Sequence, residues 1–195
     1  VIEQFEDTFD SYAIFNSINR IRWLSIKNGI ITSNRIPYFG FLNKLQKLHL
    51  RNITSVHSEI FGFVPYLKSL EIVECSLIKD YIDLANKGHL HKITLHKTEV
   101  DFQPDKFCFG NLLLRTLNIS SGGITALPRN VFKYCSQLKN LILSSNKITF
   151  VDNYFEEFYN SNLQLLDLSN NRIYYLNLRF AYPYSIHSTI SMLVQ

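Results

Sequence analysis

The sequence predicts a horseshoe-shaped α/β solenoid. In this fold, short repeats stack side by side and place their strands in one parallel β-sheet on the concave face, while the convex segments are irregular, short 3-10 or helical. Three observations predict it: a pattern LxxLxL that recurs at a nearly constant interval, an aromatic residue at a similar distance before most copies, and an apolar content of 46%. This content suffices for one continuous core in a chain of 195 residues.

The repeat is clearest in the stretch LQLLDLSNNRI, Leu163 to Ile173, which has apolar residues at its first, fourth and sixth positions and Asn at its ninth. Six similar stretches precede it. They begin at Ile21, Leu45, Leu67, Leu90, Leu114 and Leu138. The steps of 22 to 25 residues are too short for one repeat to bury its apolar edge alone, so the copies are expected to stack. Positions below are numbered from this first apolar residue; the fourth and sixth alternate with polar neighbours, as a half-buried strand requires.

At this spacing the chain resembles leucine-rich repeat proteins over about residues 21 to 178. The segment LPRNVF, Leu127 to Phe132, is close to the form typical of animal extracellular repeats. The pattern is similar to ectodomains of Toll-type receptors and to the leucine-rich immune proteins of insects. That resemblance implies a non-catalytic module that binds proteins or microbial ligands, in innate immunity, signalling or cell-surface recognition.

The ninth position is where each strand ends. An Asn there can hydrogen-bond backbone groups that leave the sheet, which predicts this role for Asn146 and Asn171. Cys75 occupies the same place, and the resemblance implies that it substitutes for Asn. The other four repeats carry residues from which we expect poorer backbone satisfaction and local irregularity. These are Gly29, Ile53, Thr98 and Gly122.

The second half of the repeat carries an aromatic residue. Phe15, Phe39, Phe61 and Phe132 each lie six residues before the next first position. Phe107 and Phe155 lie seven and eight residues before it. The similar offsets predict a spine of rings on the convex side of the core, although Phe is common in any protein core.

Three segments organise the chain. Residues 1–20 are expected to be an N-terminal cap or partial repeat, residues 21–178 seven repeats, and residues 179–195 a partial eighth repeat or C-terminal cap. In that eighth repeat His187, Ile190 and Met192 are expected at positions 1, 4 and 6. Neither end carries the cysteine cluster that caps many secreted leucine-rich repeats, so we expect a neighbouring domain or a partner to cover an open end. Self-association through the open ends is an alternative.

The outward positions of the sheet are expected to carry the function. Positions 2, 3, 5, 7 and 8 of the seven repeats hold nine Lys or Arg and three acids, against a net charge of +4 for the whole chain. Such a basic face attracts an acidic partner, and its histidines would add charge near pH 6. The alternative is a merely solvated surface. The predicted ligand-binding residues are Arg22, Trp23, Lys27, Lys47, His49, Arg51, His91, Lys92, His96, Lys97 and Arg115. Ile142 and Leu165 are further apolar anchor candidates.

The cysteines and the N-glycosylation sequons indicate the cellular compartment in which the protein acts. A disulfide between Cys108 and Cys135 is possible, with Cys75 as a buried thiol. Asn52-Ile-Thr54 and Asn118-Ile-Ser120 are acceptor sequences for N-glycans. Together with the resemblance they favour a secreted or extracellular glycoprotein. The alternative is an intracellular scaffold or a microbial effector that binds a host protein with its thiols reduced.

Several functions are not expected. The stretch GHLHKITLH lacks the carboxylate or Cys that would complete a metal site, and no phosphate loop or dinucleotide fingerprint is present, so we expect no enzyme, metal or cofactor. Aromatic residues are not interleaved with the basic ones, so nucleic acid is not expected as a partner. No apolar run reaches 18 residues, which predicts no membrane span.

Overall fold

A computed structural model describes residues 2–5, 20–31, 39–54, 56, 58–76, 89–99, 113–127, 131–132, 135–152, 162–177 and 191–193. Within these ranges the chain is almost entirely strand and turn, with short 3-10 segments at residues 39–41 and at Ser58–Phe63 on the return paths after β2 and β3. The strands are β1 (Ile2–Phe5), β2 (Trp23–Gly29), β3 (Lys47–Ile53), β4 (Ser69–Val73), β5 (Lys92–His96), β6 (Thr116–Ser120), β7 (Asn140–Ile142), β8 (Phe150–Asp152), β9 (Leu165–Asp167), β10 (Tyr175–Asn177) and β11 (Ser191–Leu193).

Nine of the described strands form one parallel sheet in the order β1-β2-β3-β4-β5-β6-β7-β9-β11. Strands β8 and β10 form a second, two-stranded parallel sheet. The large sheet confirms the predicted solenoid of leucine-rich repeats, because each strand pairs with the equivalent strand of the next repeat. Position 4 stays in register throughout: Leu24 pairs with Leu48, Leu48 with Leu70, and so on to Leu166.

The apolar positions of the repeats form one core. Positions 4 and 6 are buried in all seven repeats, and Phe39, Phe61 and Phe132 are no more than 1% exposed. These three rings occupy the interior as the spacing predicts. Phe15, Phe107 and Phe155 lie outside the described residues, so the full spine stays a prediction.

Asn146 fills the ninth position as predicted. Its side-chain oxygen accepts hydrogen bonds from the backbone N–H groups of Gly122 (2.9 Å) and Ile124 (3.1 Å). Its amide nitrogen donates to the carbonyl oxygens of Ile119 (2.7 Å) and Leu143 (2.9 Å). One buried side chain therefore satisfies four backbone groups that leave the sheet. Asn171 makes three corresponding bonds one turn later: its oxygen accepts from the N–H of Ile148 (3.1 Å), and its nitrogen donates to the carbonyls of Leu143 (2.9 Å) and Leu168 (2.8 Å).

Cys75 and Thr98 make contacts similar to those of Asn146, with a thiol and a hydroxyl in place of the amide. The Cys75 sulfur accepts from the N–H of Ile53 (3.4 Å) and donates to the carbonyl of Val73 (3.3 Å). The hydroxyl of Thr98, fully buried, accepts from the N–H of Cys75 (3.4 Å) and donates to the carbonyl of His96 (3.1 Å). The expectation of a poor fit at Thr98 is therefore wrong, because a hydroxyl both donates and accepts, as an amide does.

The first two repeats have no hydrogen-bonding side chain at the ninth position, which is Gly29 in the first and Ile53 in the second. Strands β2 and β3 run for 7 residues and pair Gly29 with Ile53, whereas β7 has only 3 residues. Strand pairing therefore continues through the ninth position here, so the predicted irregularity takes the form of longer strands. At Gly122 a Cβ would lie 3.1 Å from the carbonyl oxygen of Thr98, and the absence of a side chain permits this close approach.

The eighth position of every repeat adopts a left-handed backbone conformation. The seven φ values lie between 48° and 57°. The residues are Asn28, Asn52, Glu74, Lys97, Ser121, Ser145 and Asn170. Only Asn tolerates this region readily among these types. The turn is therefore imposed by the repeat, which needs it to direct the ninth side chain into the core.

Strand β11 corrects the expected register of the last strand. Met192 pairs with Leu166, so it occupies position 4 and not position 6. The step from Leu166 is 26 residues, two more than expected. The reason is that strand side chains alternate with a period of two, so a shift by two residues leaves the apolar face unchanged and the sequence pattern does not detect it. At the other end β1 adds a further parallel strand beside β2.

Candidate ligand-binding face

The outer face of the sheet consists of parallel rows of side chains. Residues at positions 3, 5 and 7 point away from the core, as in β3, where exposed Lys47 and Arg51 alternate with buried Leu48 and Leu50. Because the strands are in register, equal positions form rows across the repeats. The position-5 row is Ser25, His49, Glu71, Thr94, Asn118, Ile142 and Asp167.

A depression of about 400 Å³ lies at the centre of this face. Its lining comes from positions 5, 7 and 8 of the second to fifth repeats, so only the stacking of repeats creates it. The lining residues are His49, Arg51, Glu71, Val73, Glu74, Thr94, His96, Lys97, Asn118 and Ser120.

Three polar atoms of this lining are buried without a hydrogen-bond partner within the described residues: Nε2 of His49, Oγ1 of Thr94 and Oδ1 of Asn118. Thr94 as a whole is only 9% exposed. A buried polar group without a partner costs about 1–3 kcal/mol, and native proteins contain few of them. Three such atoms along one row therefore indicate a surface that is prepared to hydrogen-bond something else.

The charges of the depression are mutually compensated. The carboxylate of Glu74 accepts a hydrogen bond from Nζ of Lys97 at 2.8 Å, and its other oxygen lies 3.7 Å from Nε of Arg51. The hydrogen bond from Lys97 lowers the pKa of the Glu74 carboxyl from its usual 4.5. These pairs form above that lowered pKa and are lost as the pH falls through it. With Glu71, the two cations and two acids cancel, so the centre of the predicted basic face is not basic.

Hydrogen bonds along the rows orient the histidines. Nδ1 of His96 lies 2.9 Å from the Ser120 hydroxyl, and Nδ1 of His49 lies 3.4 Å from the Ser25 hydroxyl. Ser25, which the sequence places at an outward position, is only 2% exposed. Among the described residues, no group of three or more His, Cys, Asp or Glu is arranged to hold a metal ion.

The remaining predicted residues lie apart from the depression. Arg22, Lys47, Lys92 and Arg115 are exposed where the strands begin, and Trp23 beside them is 55% exposed. His91, at the same edge, is held by a 2.6 Å contact between its Nδ1 and the carbonyl oxygen of His89. Lys27 is half-buried in β2. The predicted ligand-binding set therefore separates into a central group and an edge group.

The glycosylation and disulfide residues also differ in setting. Asn52 is exposed at the far edge of the sheet, where its Nδ2 donates to Oδ1 of Asn28 at 2.9 Å. Asn118 is half-buried and lines the depression. Cys135 is buried and disulfide-bonded, but its predicted partner Cys108 lies outside the described residues, so the pairing stays a prediction. Cys75 is a free buried thiol whose pKa is raised by burial.

One exposed cluster was missed by the sequence interpretation. Phe150 of β8 and Tyr175 of β10 stack with ring centroids 4.7 Å apart, and Tyr174 next to them is 79% exposed. The signal in the sequence was the triplet Tyr174-Tyr175-Leu176, which extends the apolar residues past the ninth position. From the sequence alone, an apolar residue just past the ninth position is assigned to the core, whereas the second sheet exposes it to solvent.

Comparisons with known proteins agree with this architecture. The family model for leucine-rich repeats matches residues 113–173. Chaoptin of Drosophila melanogaster is 25% identical over 174 residues, which are 88% of this chain and 13% of chaoptin. The leucine-rich repeat-containing G-protein coupled receptor 4 of Xenopus tropicalis is 33% identical over 141 residues, 70% of this chain and 14% of the receptor. The chain is a leucine-rich repeat protein.

Solved structures confirm the fold of this leucine-rich repeat protein. The receptor chain in the crystal structure of the TLR13–ssRNA13 complex superposes with a TM-score of 0.71 at 19% identity, over 98% of this chain and 28% of that one. The leucine-rich repeat protein spans only 13–14% of the length of the two relatives above. Its architecture is typical of protein-binding recognition modules. No helix in the described ranges is long and apolar enough to cross a membrane.

Proposed function

We propose that this leucine-rich repeat protein is a non-catalytic recognition module that binds a protein or microbial ligand on the concave face, with the central depression as the contact site. The observation that carries the proposal is the row of three buried polar atoms without partners, on His49, Thr94 and Asn118. A partner that supplies hydrogen-bond donors and acceptors there would remove their cost. The compensated charges around them suit a polar partner better than a strongly acidic one.

A substitution that fills the depression tests the contact site. Glu71 is half-buried at its centre, so Glu71→Trp should block it without disturbing the core. The matched control is Asn140→Trp, which places the same ring on the same face outside the depression. Wild type and both variants are immobilised and exposed to extracellular fluid proteins and to microbial cell-wall polymers. Material bound by wild type and by Asn140→Trp should be lost from Glu71→Trp; equal retention by all three would refute the site.

We also propose that the protein acts outside the cell, in innate immunity or cell-surface recognition. The disulfide of Cys135 fits an oxidising compartment, and Asn52 is exposed and does not line the depression, so it is the better placed of the two glycan acceptors. A glycan on Asn118 would instead fill the depression, so occupancy there and ligand binding are mutually exclusive. The animal relatives and the Toll-type fold neighbour support the same placement.

Intact mass of the protein from its native source tests this placement. The expected result is a mass loss after enzymatic deglycosylation, with one cysteine alkylated under denaturing, non-reducing conditions. An unchanged mass and three alkylated cysteines would instead favour an intracellular scaffold or a microbial effector.

A further inference from the structure

A row of cations marks the edge at which the strands enter the sheet. Positions 2 and 3 of the first six repeats contribute one Lys or Arg each, and no acid occupies positions 1 to 3 of any of the seven repeats. The cation row is Arg22, Lys47, Lys68, Lys92, Arg115 and Lys139. Two of its members, Lys68 and Lys139, were not among the predicted ligand-binding residues.

The backbone fixes the spacing of this row. Residues at position 2 are joined from repeat to repeat by hydrogen bonds, such as Lys68 N–H to the carbonyl of Gln46 (2.8 Å) and Lys139 N–H to the carbonyl of Arg115 (2.8 Å). Adjacent strands are about 4.8 Å apart, so six cations in six consecutive strands span roughly 24 Å. The result is a line of charge with one cation per strand, staggered between positions 2 and 3.

The row is available for binding. Five of the six side chains are exposed and Lys139 is half-buried. None of the six has an ion-pair partner in the described part of the chain, where the salt bridges join Glu74 to Arg51 and to Lys97. Unpaired like charges at this spacing repel one another. An anion laid along the edge would relieve that repulsion.

We infer that the cation row binds a linear sulfated polysaccharide. A line with one positive charge per strand suits an extended polymer that carries repeated anions, and the row would recognise that polymer by charge alone. Single-stranded nucleic acid also needs an aromatic side chain for each stacked base. The exposed aromatic rings at this edge are Trp23 in the first repeat and Tyr66 just before the third, and Tyr66 already contacts the His89 ring with centroids 5.9 Å apart. Four of the six cations are Lys, whose flexible ammonium group fits a sulfate without imposing a bidentate geometry. This inference goes beyond the proposed function, since the row lies outside the depression.

Heparin serves as the probe, with binding measured by calorimetry at about 0.15 M salt and at two higher concentrations. The double variant Lys68→Gln/Arg115→Gln removes one Lys and one Arg from the row. Its matched control, Lys147→Gln/Arg172→Gln, removes one Lys and one Arg that are equally exposed at position 10, beyond the other edge of the sheet. All four changes are on exposed side chains, and unchanged thermal melts will verify that the variants fold.

The row variant is expected to lose roughly tenfold or more in heparin affinity and to show a shallower salt dependence, while the control changes by roughly twofold or less. Equal losses in both variants would show attraction by net charge and overturn the row as a site, as would absence of heparin binding by wild type. An oligonucleotide or polyglutamate of equal charge that binds more tightly than heparin, with the same dependence on the row, would overturn the polysaccharide. Glu71→Trp lies outside the row and removes one negative charge, so it should change heparin affinity by roughly twofold or less, and this result stands apart from the test of the depression.

Discussion

Replacement of Asn146 by Ala tests how the solenoid closes each turn. The side chain satisfies the N–H groups of Gly122 and Ile124 and the carbonyls of Ile119 and Leu143. Each such hydrogen bond contributes about 0.5–1.5 kcal/mol net, so the loss of four should cost roughly 2–6 kcal/mol. For a domain of this size, 1 kcal/mol lowers Tm by roughly 2–4 °C, so the melting point should fall by roughly 4–24 °C.

Two further variants isolate the cause. Asn140→Ala removes a single half-buried bond, 3.2 Å to the Thr116 hydroxyl, and should cost about 1 kcal/mol or less. Asn146→Cys should recover part of the stability, because Cys75 already serves at the ninth position. The measurement is thermal and urea unfolding followed by circular dichroism. If Asn146→Ala melts within about 1 °C of Asn140→Ala, the ninth-position side chain is not what satisfies these buried groups.

Three other predictions concern the core. Leu141→Ala at a fully buried fourth position should cost about 2–5 kcal/mol in urea unfolding, and an unchanged midpoint would show that the register is wrong. Gly122→Ala should destabilise by about 1–3 kcal/mol, because the added Cβ would lie 3.1 Å from the carbonyl oxygen of Thr98 and 3.3 Å from Cγ2 of Ile119; a neutral result would mean that the turn can move. The Cys75 thiol, whose pKa burial raises above 9.0, should resist iodoacetamide at pH 8 in the native protein and react once the chain is denatured; rapid native labelling would contradict its burial.

Most of the fold is predictable from the period at which the apolar positions recur. Positions 4 and 6 recur so regularly that they predict the large sheet, its parallel pairing and the register of β2 to β7 and β9, but not the second sheet of β8 and β10. The register of β11 was mispredicted, as Met192 shows, because a shift of two residues preserves the alternation on which the pattern depends. The fit of Thr98 was mispredicted because Thr differs from Asn in residue type. The position requires only a buried side chain that both donates and accepts a hydrogen bond.

The candidate site was less accessible to sequence interpretation. Counting charges by position found the cations but could not tell that Glu74 pairs with Lys97 and Arg51, since those contacts join residues of neighbouring repeats about 23 positions apart. The unpartnered atoms of the depression depend on side-chain packing within one row, which spacing does not encode. The cation row was present in the sequence, and it becomes a site only once the stacking aligns positions 2 and 3 at a single edge.

Histidine footprinting of the complex tests the central claim that recognition occurs at the concave depression. His96 lines the depression, and His89 lies exposed at the edge where the strand begins. The protein is treated with diethylpyrocarbonate alone and with the partner captured by wild type, and labelling is followed by mass spectrometry. The depression predicts that the partner slows labelling of His96 and leaves His89 unchanged. Protection of His89 with unchanged labelling of His96 would contradict it and place recognition at the edge of the sheet.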